Sequence, residues 1–304
     1  MTVLNGSPRR RKTLLKTVRP RIFFGSMGYN HLTKMHHPNP VPEPKTIPRT
    51  SSSYPPLLAE QQTAFFREVL TALNECSIGY AVTGAFALQR HTGIWHPTKD
   101  MDISLPPQSV SPALDCLQRV GYRCEVTDAV WLAKAFRADF FVDLITGMSN
   151  GVISVDERWI ERAHPAVIVG VPTRVLAPEE LLASKLFVAR RERFDGADIA
   201  HILYATSASL DWDRLLEVVG DHWQLLLWSL VFFAYVYPAH VNMVPATVWQ
   251  ELMARFEKTV TTPNSNAPFR GSLIDQFLFA IDVREWGMKD QLAEYRTQRL
   301  DDTR

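Results

Sequence analysis

Between residues 99 and 104 the chain reads KDMDIS, and no other stretch constrains its fold as tightly. An Asp-apolar-Asp triplet in a strand puts both carboxylates on one face, because side chains alternate with a period of two. Asp100 and Asp102 then address a common site while Met101 and Ile103 enter a core. Two adjacent carboxylates oppose each other's ionisation. A hard divalent cation such as Mg²⁺, which prefers oxygen ligands, relieves that conflict. Alone, the triplet is equally the pattern of an edge strand with a solvated face, so its neighbours decide.

Upstream, GYAVTGAFALQRH reads as a strand running to Val82, a turn at Thr83-Gly84 and a short helix from Ala85. Such a turn presents free N–H groups at a helix N-terminus, a cradle for phosphate. Downstream, ADFFVDLIT sets Asp143 among Phe140, Phe141, Val142, Leu144 and Ile145. A carboxylate in so apolar a strand is costly unless it has a partner. Three acids on two strands, behind a phosphate-cradling turn, form one constellation for metal-dependent phosphate chemistry. No Gly-x-Ser-x-Gly elbow, Walker loop or dinucleotide glycine fingerprint competes with it.

This order of strand, glycine turn, helix, Asp-apolar-Asp strand and later Asp strand resembles the nucleotidyltransferase superfold shared with polymerase beta. Within it, the bacterial minimal nucleotidyltransferases and the AbiEii-type toxin family look most similar. The resemblance implies that Thr83, Gly84 and Ala85 contact the nucleotide phosphates. It also implies that Asp100, Asp102 and Asp143 are catalytic and hold two Mg²⁺ ions. Ala85 stands where the family carries a second Gly or a Ser. Lys185, in the segment APEELLASKLFVARRERFDGAD, matches a family Lys that approaches the nucleotide. Against that, basic residues ending a helix also complement its dipole. Asp195 there fits a helix N-cap, and Arg191 and Arg193 read as a solvated face.

The implied activity is transfer of a nucleoside monophosphate from a nucleoside triphosphate to an acceptor hydroxyl of unspecified identity: small molecule, protein or tRNA. The alternative is an inactive nucleotide-binding or toxin–antitoxin-type protein with a small partner protein. The fold class expected is α+β: a mixed sheet with flanking helices, then an all-helical C-terminal domain. The expected boundaries are a basic disordered tail over 1–55, a catalytic domain over 56–176 and a helical domain over 177–304. The charge distribution agrees. Residues 1–55 carry ten Lys or Arg against the single acid Glu43, leaving 23 basic and 31 acidic side chains beyond. An acidic globular part argues against a broad phosphate-tracking surface. Cys76, Cys116 and Cys124 show no metal spacing and suit a reducing compartment, so a cytoplasmic location is expected. The apolar run from Leu225 to Tyr237 is shorter than the roughly 20 residues of a membrane span. It reads as a buried helix, with Trp223, Trp228, Phe232 and Tyr235 in the core.

Overall fold

The computed structural model describes residues 58–302, which lie within one compact unit. The tail expected over 1–55 falls outside the described residues. The first helix, α1 (Glu60–Glu75), turns Phe65, Phe66, Val69, Leu70 and Leu73 inward at helical spacing, and all five are fully buried. A two-residue strand β1 (Ala81–Val82) follows, ending at Val82 as expected, then α2 (Gly84–Thr92) and β2 (Asp100–Ser104). Next come α3 (Val110–Arg119) and three strands, β3 (Arg123–Asp128), β4 (Leu132–Arg137) and β5 (Phe140–Ile145). A short helix α4 (Glu157–Arg162) leads into the hairpin β6 (His164–Ile168) and β7 (Val171–Val175).

These strands form one mixed sheet in the order β3-β4-β5-β2-β1-β7-β6. β2 runs parallel to β5 and antiparallel to β1, and β1 pairs parallel with β7. Helices α1 and α3 pack on the face that carries Met101, Ile103, Ala135, Val142 and Leu144, all fully buried. A disulfide joins Cys76, which caps the end of α1, to Cys116 in α3, with Cα atoms 6.4 Å apart. The sequence expectation of three reduced cysteines is therefore corrected. Nothing in the linear spacing brings the two together; the packing of α1 beside α3 does. Cys124 is free.

Beyond β7 every element is helical: α5 (Pro178–Lys185), α6 (Gly196–Thr206), α7 (Trp212–Val219), α8 (Trp223–Val236), α9 (Ala246–Thr261), α10 (Gly271–Ile274), α11 (Ala280–Arg284) and α12 (Gln291–Asp302). Buried charge pins α5 in place. Glu180 is fully buried and accepts from Arg214 Nε at 2.9 Å, with Arg162 Nε 3.5 Å away. Its neighbour Glu179 accepts from the Asp211 backbone N–H at 2.7 Å, at the start of α7. These two acids serve as struts.

Helix α8 corrects a further expectation. Leu226, Leu227, Leu230 and Phe233 are buried, but Trp228 is 46% and Tyr235 84% exposed. No described helix is long and apolar enough to cross a membrane.

Candidate active site

The site is built where β1 turns into α2. Thr83 is extended, and its N–H donates to the Asp102 carbonyl at 2.8 Å, tying the turn to β2. Gly84 has φ +58°, a left-handed conformation that L side chains rarely adopt. A Cβ there would overlap Asp102 Oδ2 and lie 2.8 Å from Asp102 Cγ. Glycine is needed on both counts, because the Asp102 carboxylate occupies the space a side chain would take.

Strand register assembles the acids. Asp102 pairs with Asp143 across β2 and β5, and Asp143 pairs with Lys134 across β5 and β4. Asp100 stands two residues before Asp102 on the same face and accepts from Thr98 Oγ1. One oxygen from each of Asp100, Asp102 and Asp143 can be chosen so that all lie within 4.8 Å of one another. Burial pushes the Asp102 carboxyl up to about 7; the charges of Asp100 and Asp143 push the same way, while Arg193 and Lys185 oppose them. Asp143 is also raised by burial, opposed by Lys134, whose Nζ donates to Asp143 Oδ1 at 2.7 Å. Three crowded carboxylates, one inclined to keep a proton, fit a hard divalent cation: the donors are all oxygens and their repulsion is what such an ion removes.

A cleft of about 650 Å³ opens over these acids. Thr83, Gly84, Ala85, Asp100, Asp102, Asp143 and Lys185 all line it, so the structure brings every residue singled out above into one cavity. Lys185 is not free there. Its Nζ donates to Asp195 Oδ2 at 2.9 Å and to Asp198 Oδ2 at 2.8 Å. Asp195 precedes α6 as expected, but its side chain makes no cap hydrogen bond. Burial pushes its carboxyl up, yet the bonds from Arg193 and Lys185 win and hold it low.

Two residues escaped the sequence reading. Arg193, read as solvated, sits exposed on the cleft rim, holds both oxygens of Asp195 at 2.8 and 3.0 Å, and adds its charge to the field on Asp102. Nothing in the linear sequence marks Lys134; it becomes visible only once register sets it beside Asp143. Of the histidines flanking the loop before β2, His91 Nε2 bonds the Leu176 carbonyl at 2.7 Å, whereas His96 lines the cleft with its Nε2 3.6 Å from Asp198 Oδ1.

A mixed sheet with three converging carboxylates beneath a glycine turn is the layout of a nucleotidyltransferase. Residues 62–221 match the model of a family described as "Nucleotidyl transferase of unknown function (DUF2204)", and the chain belongs to that family. No curated protein matches it. Among solved structures, an antigenic nucleotidyltransferase-like protein from Paracoccidioides brasiliensis is similar at 15% identity, with 64% of this chain and 99% of that one covered and a TM-score of 0.43. The antibiotic-resistance factor ANT(2'')-Ia is similar at 17% identity, covering 57% and 97%, with a TM-score of 0.41. JHP933 from Helicobacter pylori is similar at 15% identity, covering 68% and 100%, with a TM-score of 0.35.

Proposed function

We propose that this nucleotidyltransferase moves a nucleoside monophosphate from a nucleoside triphosphate to an acceptor hydroxyl, in a Mg²⁺-dependent reaction that releases pyrophosphate. The observation that carries the reading is the convergence of Asp100, Asp102 and Asp143 on one sheet face directly under the Gly84 turn. Asp100, Asp102 and Asp143 are the residues that would hold Mg²⁺. When bound, the ion supplies positive charge between the carboxylates and the triphosphate and stabilises charge developing on the leaving group.

The chain's own groups do the rest by positioning and electrostatics. Backbone N–H groups at the start of α2 donate to phosphate oxygens, and Gly84 lets them approach closely. Asp143, deeper toward β4, takes the proton of the acceptor hydroxyl as its oxygen bonds to the α-phosphorus and the α–β bridging oxygen departs with pyrophosphate. Lys134 holds one oxygen of Asp143 and so aims the other at the cleft. Lys185 faces the phosphates from the α5 side, held in place by Asp195 and Asp198. We also propose a catalytic part ending near 176 and a helical part following it, since the last strand ends at Val175.

The test supplies each α-labelled nucleoside triphosphate with Mg²⁺ and a cell lysate. Label transfer with pyrophosphate release, lost in Asp100→Asn and on chelation, supports the reading. Transfer that persists in Asp100→Asn contradicts it.

A further inference from the structure

The face of the sheet that carries the acids does not stop at Asp143. Register places Asp102, Asp143, Lys134 and Glu125 in one row across β2, β5, β4 and β3. The adjacent row is Asp100, Phe141, Phe136 and Arg123. Side-chain contacts confirm that these residues share the face. Lys134 Nζ lies 4.2 Å from the centre of the Phe141 ring, Arg123 Cζ lies 4.1 Å from that of Phe136, and the two rings are 6.1 Å apart. Both phenyl rings are only partly buried, and the Arg123 side chain is 67% exposed. Partly exposed aromatics roofed by cations are unusual on a sheet face that needs only to be soluble, where polar side chains suffice.

The direction of the reaction says what approaches this strip. In phosphoryl transfer the attacking and leaving oxygens stand roughly in line on opposite sides of the phosphorus. The turn that cradles phosphate is on the β1 side of Asp102, so the leaving end lies there. The attacking hydroxyl then comes from the Asp143 side, over β5 and β4. The acceptor's remaining atoms extend across the strands toward β3. We propose, resting on the function given above, that Phe141, Phe136, Lys134 and Arg123 form the acceptor subsite and that the acceptor is anionic and carries a flat ring. The rings and the guanidinium offer stacking surfaces; Lys134 stays on Asp143, and Arg123, which gives one N–H to Glu125 at 3.0 Å, has further N–H groups for the negative group. Two strand spacings across the sheet and two residues along it separate Asp143 from Arg123, about 12 Å between backbones, a gap the long Arg123 side chain shortens. That places the anionic group roughly one nucleotide unit from the reacting hydroxyl. A free nucleoside monophosphate and the 3′ end of an oligonucleotide both have this chemistry, whereas a polycationic amino sugar has no negative group to offer Arg123.

The experiment loads the full chain with Mg²⁺ and a non-hydrolysable nucleoside triphosphate. It then measures binding of adenosine 5′-monophosphate, a short oligoribonucleotide with a free 3′ hydroxyl, and tobramycin. At least one of the two anionic probes should bind at least tenfold tighter than tobramycin, and which one does so identifies the source. Arg123→Ala and Phe136→Ser should each weaken that probe about tenfold while leaving the affinity for the Mg²⁺–triphosphate unchanged. Preference for tobramycin, no binding of either anionic probe, or binding equal in the variants would overturn the assignment. If the triphosphate itself fails to bind with Mg²⁺, the function above falls, and the subsite falls with it.

Discussion

Replacing Gly84 by Ala is the perturbation whose outcome the geometry fixes most closely. At φ +58° an L side chain costs about 1–2 kcal/mol from backbone strain alone. The new methyl would also overlap Asp102 Oδ2, 2.8 Å from its Cγ and 3.1 Å from its Cβ. Asp102 is a short side chain on a strand, so it cannot swing aside as a lysine tip would. Forcing it off its rotamer adds about 1 kcal/mol. The expected loss is about 2–3 kcal/mol, and at about 2–4 °C per kcal/mol for a fold of this size the melting temperature should fall by roughly 4–12 °C. Because the displaced group is a proposed metal ligand, affinity for a Mg²⁺–triphosphate should also drop at least tenfold, about 1.4 kcal/mol. Gly93→Ala is the control. Gly93 also has positive φ, +77°, but a Cβ there meets nothing within 4 Å. It should lose stability by the strain alone and keep nucleotide affinity. Calorimetric melting and titration of both variants decide the matter. Gly84→Ala with the parent's melting temperature and affinity would refute the close packing of turn on carboxylate.

Three other outcomes follow from the same geometry. Asp102 holds a proton in the folded metal-free protein up to about pH 7, whereas the unfolded chain releases it near 4. Metal-free stability should therefore fall as pH rises through that window, by at most on the order of 4 kcal/mol. Asp102→Asn should flatten this fall and melt higher than the parent at pH 8 while losing Mg²⁺-dependent nucleotide binding; a lower melting temperature would show that the carboxylates do not repel. Asp143→Ala should retain triphosphate binding through Asp100 and Asp102 yet lose turnover by orders of magnitude, and equal losses of binding in Asp143→Ala and Asp100→Ala would contradict the division of roles. Arg214→Ala leaves Glu180 buried with only Arg162 nearby, which should cost about 3–5 kcal/mol in chemical denaturation; a change below about 1 kcal/mol would mean Glu180 is solvated.

Much of the sheet was legible because its signals are local. The alternation in residues 100–104 and the apolar run in 140–145 each show their periodicity within six residues. The turn at Gly84 was visible for the same reason. What could not be read depends on which strand lies beside which. Lys134 meets Asp143 only through the β4–β5 register, and Cys76 meets Cys116 only because α1 packs beside α3. Arg193 looked solvated in a run of charge, and its reach toward Asp102 depends on how the segment after α5 folds back over the cleft. Trp228 and Tyr235 misled because α8 is apolar nearly all round, so no polar face marks its outer side.

The most direct test of the central claim is a crystal structure of the protein grown with Mn²⁺ and a non-hydrolysable nucleoside triphosphate, with anomalous scattering used to place the metal. The account predicts an anomalous peak bonded to oxygens of Asp100 and Asp102, on the face shared with Asp143, with triphosphate oxygens in the same coordination shell and other phosphate oxygens on the N–H groups that follow Thr83. Triphosphate bound with no metal at these carboxylates, or metal and nucleotide lodged elsewhere on the chain, would contradict it.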